Sequence, residues 1–309
     1  MVPPLRLSAG CWLRRAAVAA TASFAVALTG CVSAPVATPS NTPAADRLHQ
    51  QAQAALARWA EAVAAAGGDQ GIVIVGELTS QVGDWEPAVG DNNKRALMAG
   101  LVEATAGLPA ATLGDGEVRW QDGTKQTVRL ISAQQAVAEI RAGGGDCADC
   151  VPLRITAARL TSRQAETSRG PATVPTWEFT LQGTAVRATR VAIADRISVT
   201  PPPWNADDAP VGISIESASG TVGGRELTVG FVGAPLPGDH ACGADYTAEA
   251  VESGLAIVVI VTAHPNSFPG ACTSVGAGRT ATARLAAPLG ARTVLEVQQG
   301  LPVTVQLTR

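Results

Sequence analysis

Two hydrophobic rhythms divide this chain. Over residues 44–66, Leu48, Ala52, Leu56, Trp59 and Val63 return every three or four positions, with Arg47, Gln51, Arg58 and Glu61 between them. That spacing puts one apolar stripe on an amphipathic helix, stopped by Gly67-Gly68. It predicts that Trp59 packs on the first sheet. Ile72-Val73-Ile74-Val75 then runs unbroken, as a buried strand does, and Glu77-Leu78-Thr79 prolongs it by alternation. Asp91-Asn92-Asn93 offers caps for a second helix over 94–106, carrying Leu97, Met98, Leu101 and Val102.

Glu117–Trp120 and Thr127–Leu130 alternate on either side of Gln121-Asp122-Gly123-Thr124, and Asp-Gly in that position signals a tight hairpin. Ser132 caps a third helix with Ala136, Val137 and Ile140 inward, closed by Gly143-Gly144-Gly145. Residues 151–162 and 176–193 read as a strand pair around a loop, Ser168–Pro175, stiffened by two prolines and a glycine. Pro201-Pro202-Pro203-Trp204 cannot enter a central strand and marks a boundary. Beyond it the period is two. Gly212–Ser217, Arg225–Val232, Tyr246–Val251 and Leu255–Ala263 read as strands, and 280–286, 292–298 and 301–307 as an antiparallel meander. The fold class expected is α+β. An N-terminal α/β-mixed domain (44–200) combines an antiparallel sheet with packed helices. A Pro-rich linker (201–210) then leads to a mostly antiparallel β sandwich or barrel-like domain (211–309).

The start of the chain follows another logic. Residues 1–15 carry Arg6, Arg14 and Arg15 and no acid, and residues 16–28 are almost wholly apolar. That is the layout of a secretory signal. Thirteen helical residues reach only ~20 Å, short of a hydrocarbon core of about 30 Å, so a spanning helix is the weaker reading. Leu28-Thr29-Gly30-Cys31 follows at once, and this box resembles that of bacterial lipoproteins. The resemblance implies cleavage of residues 1–30, diacylglyceryl attachment to the Cys31 sulfur, and a lipid bilayer as partner. Residues 32–43, rich in Pro, Ser, Thr and Ala, then form a tether reaching about 35 Å.

Charge excludes one class of partner. Losing residues 1–30 moves the formal charge from −3 to −6, the opposite of a nucleic-acid footprint. It also leaves no polybasic membrane patch, so anchoring falls to the lipid. With Cys11 in the leader and Cys31 acylated, Cys147, Cys150, Cys242 and Cys272 remain. Four cysteines allow three pairings. Pairing within each predicted domain gives Cys147–Cys150 and Cys242–Cys272, as expected outside the cytoplasm.

Chemistry is sparse. Cys147-Ala148-Asp149-Cys150 invites a thiol–disulfide reading, which requires the first cysteine at a helix N-terminus. Here it follows a helix and a glycine stop, which favours a structural staple. No second Cys or His pair stands at zinc spacing. His240 and His264 flank Cys242 and Cys272, so a bridge there brings two histidines and Asp239 within range of an acid–base or metal site; two solvated loop histidines are the plainer reading. No nucleophile elbow, zincin motif or phosphate loop is present, and nothing in the sequence calls for a cofactor. Arg169, Trp177 and Trp85 form a candidate binding surface, set against a tryptophan that merely closes a core.

Several segments are similar to those of secreted lipoproteins from high-GC Gram-positive (actinobacterial) bacteria, a group without an assigned activity. They are Val75-Gly76-Glu77-Leu78, Gly83-Asp84-Trp85-Glu86, Asn92-Asn93-Lys94, Thr167–Pro175 with Trp177-Glu178-Phe179, and Ala287–Val294. The resemblance implies a location, the extracytoplasmic face of the cell membrane, and no catalytic residue. The function expected is a membrane-anchored binding or envelope accessory protein that meets a wall component or partner protein. The alternatives are an envelope hydrolase or transferase, and a thiol–disulfide oxidoreductase using Cys147 and Cys150.

Overall fold

The computed structural model describes residues 43–68, 71–86, 90–105, 107–110, 114–267 and 269–308. The leader, Cys31 and the tether lie outside them. In chain order the elements are α1 (Pro43–Ala65), β1 (Ile72–Val75), β2 (Thr79–Val82), α2 (Gly90–Met98), β3 (Val102–Ala104), β4 (Asp115–Trp120), β5 (Lys125–Arg129) and α3 (Ala133–Ala142). Next come β6 (Leu153–Thr167), β7 (Gly170–Leu181), β8 (Arg187–Val191) and β9 (Arg196–Ile197). The chain closes with β10 (Ile215–Thr221), β11 (Glu226–Gly233), β12 (Ala244–Glu252), β13 (Ala256–Pro265), β14 (Ala277–Arg284), β15 (Thr293–Glu296) and β16 (Thr304–Thr308). The fold is α+β and rich in antiparallel strands.

The large sheet runs β2-β8-β7-β6-β1-β9, with β3 on β6 and the β4–β5 hairpin on β7. It must curl. Four strand spacings separate β2 from β1, roughly 19 Å if flat, whereas Val75 to Thr79 spans at most about 14 Å of chain. Gly76 makes the corner at φ +83°, the left-handed region that glycine tolerates. The alternation through Glu77 therefore does not prolong β1. It opens a new strand on the far side of the sheet.

The second predicted helix is shorter than its apolar pattern implied. α2 ends at Met98, which is 71 % exposed, and Val102 begins β3. Gly100 breaks the helix at φ +66°, where a Cβ would fall 2.5 Å from the Ile140 carbonyl of α3. The predicted loop Ser168–Pro175 is also corrected. It is a two-residue turn at Ser168-Arg169 followed by β7, paired with β6 from Gly170 onward. Proline removes a donor but keeps its carbonyl, and Pro175 O accepts the Ala192 N–H at 2.9 Å.

The last part holds two sheets, β14-β11-β10-β16 and β12-β13-β15. All the predicted strands exist, but the closing meander does not. β14 joins β11, β15 runs parallel to β13, and β16 runs parallel to β10. Alternation and short turns specify strands; they do not specify partners.

Burial falls into three cores. One lies under the large sheet, around Trp120, Trp177, Phe179, Ile131 and Ile155. A second sits between the two small sheets, around Phe231, Leu227 and Ile257. The third belongs to the stripe of α1, where Ala52, Leu56, Trp59 and Val63 meet Val73, Ile197, Val258, Ile260 and Leu295. The helix that carries Trp59 therefore packs mainly on β13, not on the first sheet alone. The described residues form one compact unit, and Arg47 of α1 is hydrogen-bonded to Asp208 and Ala209 at the end of the predicted 201–210 linker.

Candidate functional site

A shallow recess opens where Gly76 turns the chain out of the sheet. Two adjoining hollows of about 300 and 360 Å³ share Val75 and Glu77. The first is polar, with Ser80, Arg163, Gln164 and Glu166 on its walls. The second is more apolar, with Leu78, Ile197, Val199, Leu301 and Val303 around Arg196 and Glu296. The site is built from both halves of the molecule. β1, β6 and β9 supply one wall, and the β15–β16 connection supplies the other.

Two of its charged side chains, Glu296 and Arg196, are engaged in holding the fold. Glu296 is buried, and its carboxylate accepts from Ser214 Oγ (3.1 Å), Gln298 N (2.8 Å), Gln299 N (2.6 Å) and Leu301 N (3.2 Å). With all four lone-pair sites used it is a structural acceptor that shapes the Gln298–Leu301 turn. Arg196 donates to Ile193 O (2.7 Å) and Glu139 Oε2 (2.6 Å), and Arg190 donates to the same carboxylate oxygen at 3.0 Å. Burial pulls the Arg190 guanidinium below its ordinary pKa, against the hydrogen bond and charge of Glu139. Arg163 donates to the Glu77 carbonyl at 2.8 Å; its Nε, like those of Arg190 and Arg196, is buried without a hydrogen-bond partner, and burial lowers its pKa. It is the half-buried cation of a hollow that Glu77 and Glu166 also line.

The residues singled out from sequence do not converge. Trp177 is 2 % exposed, and its indole N–H donates to Ile131 O at 2.9 Å. It closes the first core and presents nothing to a partner. Trp85 is half-buried against that same core. Arg169 lies at the β6–β7 turn with its guanidinium 4.1 Å from the Trp120 ring centre. Eight residues of strand, about 26 Å, separate it from the buried Trp177.

Both disulfides pair as the domain argument expects, Cys147 with Cys150 and Cys242 with Cys272. The first sits after α3, with Asp149 paired to Arg95 at 2.7 Å and Cys150 packed on the first core. Arg95 holds the Asp149 carboxyl below its usual range, so a carboxylate rather than a helix N-terminus adjoins these sulfurs. Cys147, Asp149 and Cys150 are the one grouping of three metal-ligating residue types among those described, and its two sulfurs are joined to each other. Each histidine has its own partner: His240 pairs with Asp239 (2.6 Å), His264 with Thr247 (2.9 Å), and His49 with Glu249 (3.2 Å).

Sequence reasoning missed Glu77, Arg163, Arg196 and the Glu296 turn. The signal was present in Gly76, a glycine directly after an unbroken apolar strand, which marks a sharp departure of the backbone. No protein-family model, curated protein or solved structure matches this chain.

Proposed function

We propose that this chain is an extracytoplasmic lipoprotein, held to the cell membrane through acylated Cys31, whose folded body binds an envelope component or partner protein. The actinobacterial lipoprotein resemblance supports the same location. The observation that carries the reading is the agreement between the Leu28–Cys31 box and the cysteines behind it. All four described cysteines are oxidised in pairs, as suits an oxidising compartment. Among the described residues no helix is long and apolar enough to cross a membrane, so attachment on this reading falls to the lipid.

The body's part is binding at the Gly76 recess. Arg163, half-buried and hydrogen-bonded to a carbonyl, would take a carboxylate or phosphate oxygen of a ligand whose other polar groups meet Glu77 and Glu166, and the apolar hollow beside it would take the rest. The test is a thermal-shift titration of the full chain with anionic envelope fragments, wild type against Arg163→Gln. Stabilisation of the wild type alone supports the reading, and equal shifts in both proteins contradict it.

A further inference from the structure

Trp204 is the exposed tryptophan of the folded body. It is 73 % exposed, whereas Trp59, Trp120 and Trp177 are buried and Trp85 is half-buried. It ends Pro201-Pro202-Pro203-Trp204, every residue of which faces solvent. Three successive prolines have no N–H, so this strap carries three fewer backbone donors to leave unpaired in an apolar phase. An indole on such a segment has an apolar body and a single polar N–H, the chemistry that collects at the headgroup level of a bilayer.

The strap's position completes the argument. Its far end is stitched to the first turns of α1. Arg47 donates to Asp208 Oδ1 (2.6 Å) and to Ala209 O (2.9 Å), and Gln51 exchanges hydrogen bonds with the Val211 backbone (3.0 and 3.1 Å). Pro43 lies one helical turn before Arg47, about 6 Å along the axis, and Trp204 lies within about 14 Å of Asp208. Trp204 is therefore within roughly 30 Å of the residue where the body meets its tether. An extended tether over 32–43 would allow about 35 Å from Cys31.

We propose that the Pro201–Trp204 strap is a second membrane contact, seating Trp204 at the bilayer interface beside the lipid anchor. This rests on acylation of Cys31. A contact too weak to hold a free protein suffices here, because the anchor makes it intramolecular. Asp207 and Asp208 adjoin the strap, so insertion is driven by the indole and not by charge. Neutral lipid should favour it over anionic lipid.

The test uses the full acylated chain on phosphatidylcholine vesicles whose acyl chains carry bromine, which quenches tryptophan at the interface. Wild type and Trp204→Ala are compared for flotation and fluorescence, with thermal melts to verify the fold of a variant altered at an exposed site. The proposal expects both proteins to float, wild-type emission to be quenched, and the quenching to be lost in Trp204→Ala. Flotation without quenching, or equal quenching in both, overturns the strap while leaving the anchor intact. Failure to float overturns the anchor reading and the strap with it. Quenching absent on vesicles while Trp204 crosslinks to an envelope protein in cells assigns the strap to a protein partner and overturns the membrane contact.

Discussion

At the scale of single residues, the molecule spends its buried charge on structure. Glu139 holds two guanidiniums, Arg190 and Arg196, which join α3 to β8 and β9. Removing it leaves two largely buried cations sharing no carboxylate. Glu139→Ala should therefore destabilise by about 3 kcal/mol, read as a fall in melting temperature. Surface carboxylates tell a gentler story through pH. Hydrogen bonds from Arg129 lower Asp195, the Thr184 hydroxyl and Ala185 N–H lower Glu86, and Arg119 lowers Glu117. A carboxyl whose folded pKa is depressed contributes stability above its unfolded pKa and loses it as pH falls through the folded value. The melting temperature should hold through neutral pH and decline from about pH 4 downward, and Asp195→Asn should flatten part of that decline. The pairings of Glu139, Asp195 and Glu86 were not legible in the sequence, because their partners lie 51, 66 and 98 residues away and no local pattern joins them.

At the scale of elements the sequence said more. The α1 stripe, the Asp122-Gly123 hairpin, the Ser132 cap and the strands after residue 211 follow from local chemistry, and each is present. Ser132 Oγ accepts the Gln135 N–H at 3.1 Å, as a cap residue should. Local chemistry failed where the deciding contact is remote. α2 stops because Gly100 presses on α3, and Pro175 stays in a strand because β6 and β8 flank it. The disulfides separate by loop length. Cys242–Cys272 closes a 30-residue separation and Cys147–Cys150 only three. Under reductant, loss of the first should cost about 3–4 kcal/mol and loss of the second about 2, so Cys242→Ala/Cys272→Ala should melt lower than Cys147→Ala/Cys150→Ala.

At the scale of the whole molecule, α1 is the join. Its apolar stripe closes a core shared by β1, β9, β13 and β15, so the part before the Pro-rich strap and the part after it are buttressed by one helix. Calorimetry should show a single cooperative transition for the body, and Trp59→Ala should destabilise it by about 3–5 kcal/mol without splitting that transition. Two separate peaks in the wild type would contradict the shared core. On these two proposals, the recess would meet a ligand and the strap would meet the bilayer. Both depend on which side of the membrane the body occupies. Intact mass spectrometry of the protein from the membrane fraction of its cells, with thiols alkylated before any reduction, tests that most directly. The account predicts a chain beginning at Cys31, carrying the mass of a diacylglyceryl group, with Cys147, Cys150, Cys242 and Cys272 unalkylated. A chain retaining residues 1–30, or an unmodified Cys31 beside alkylated cysteines, would contradict it.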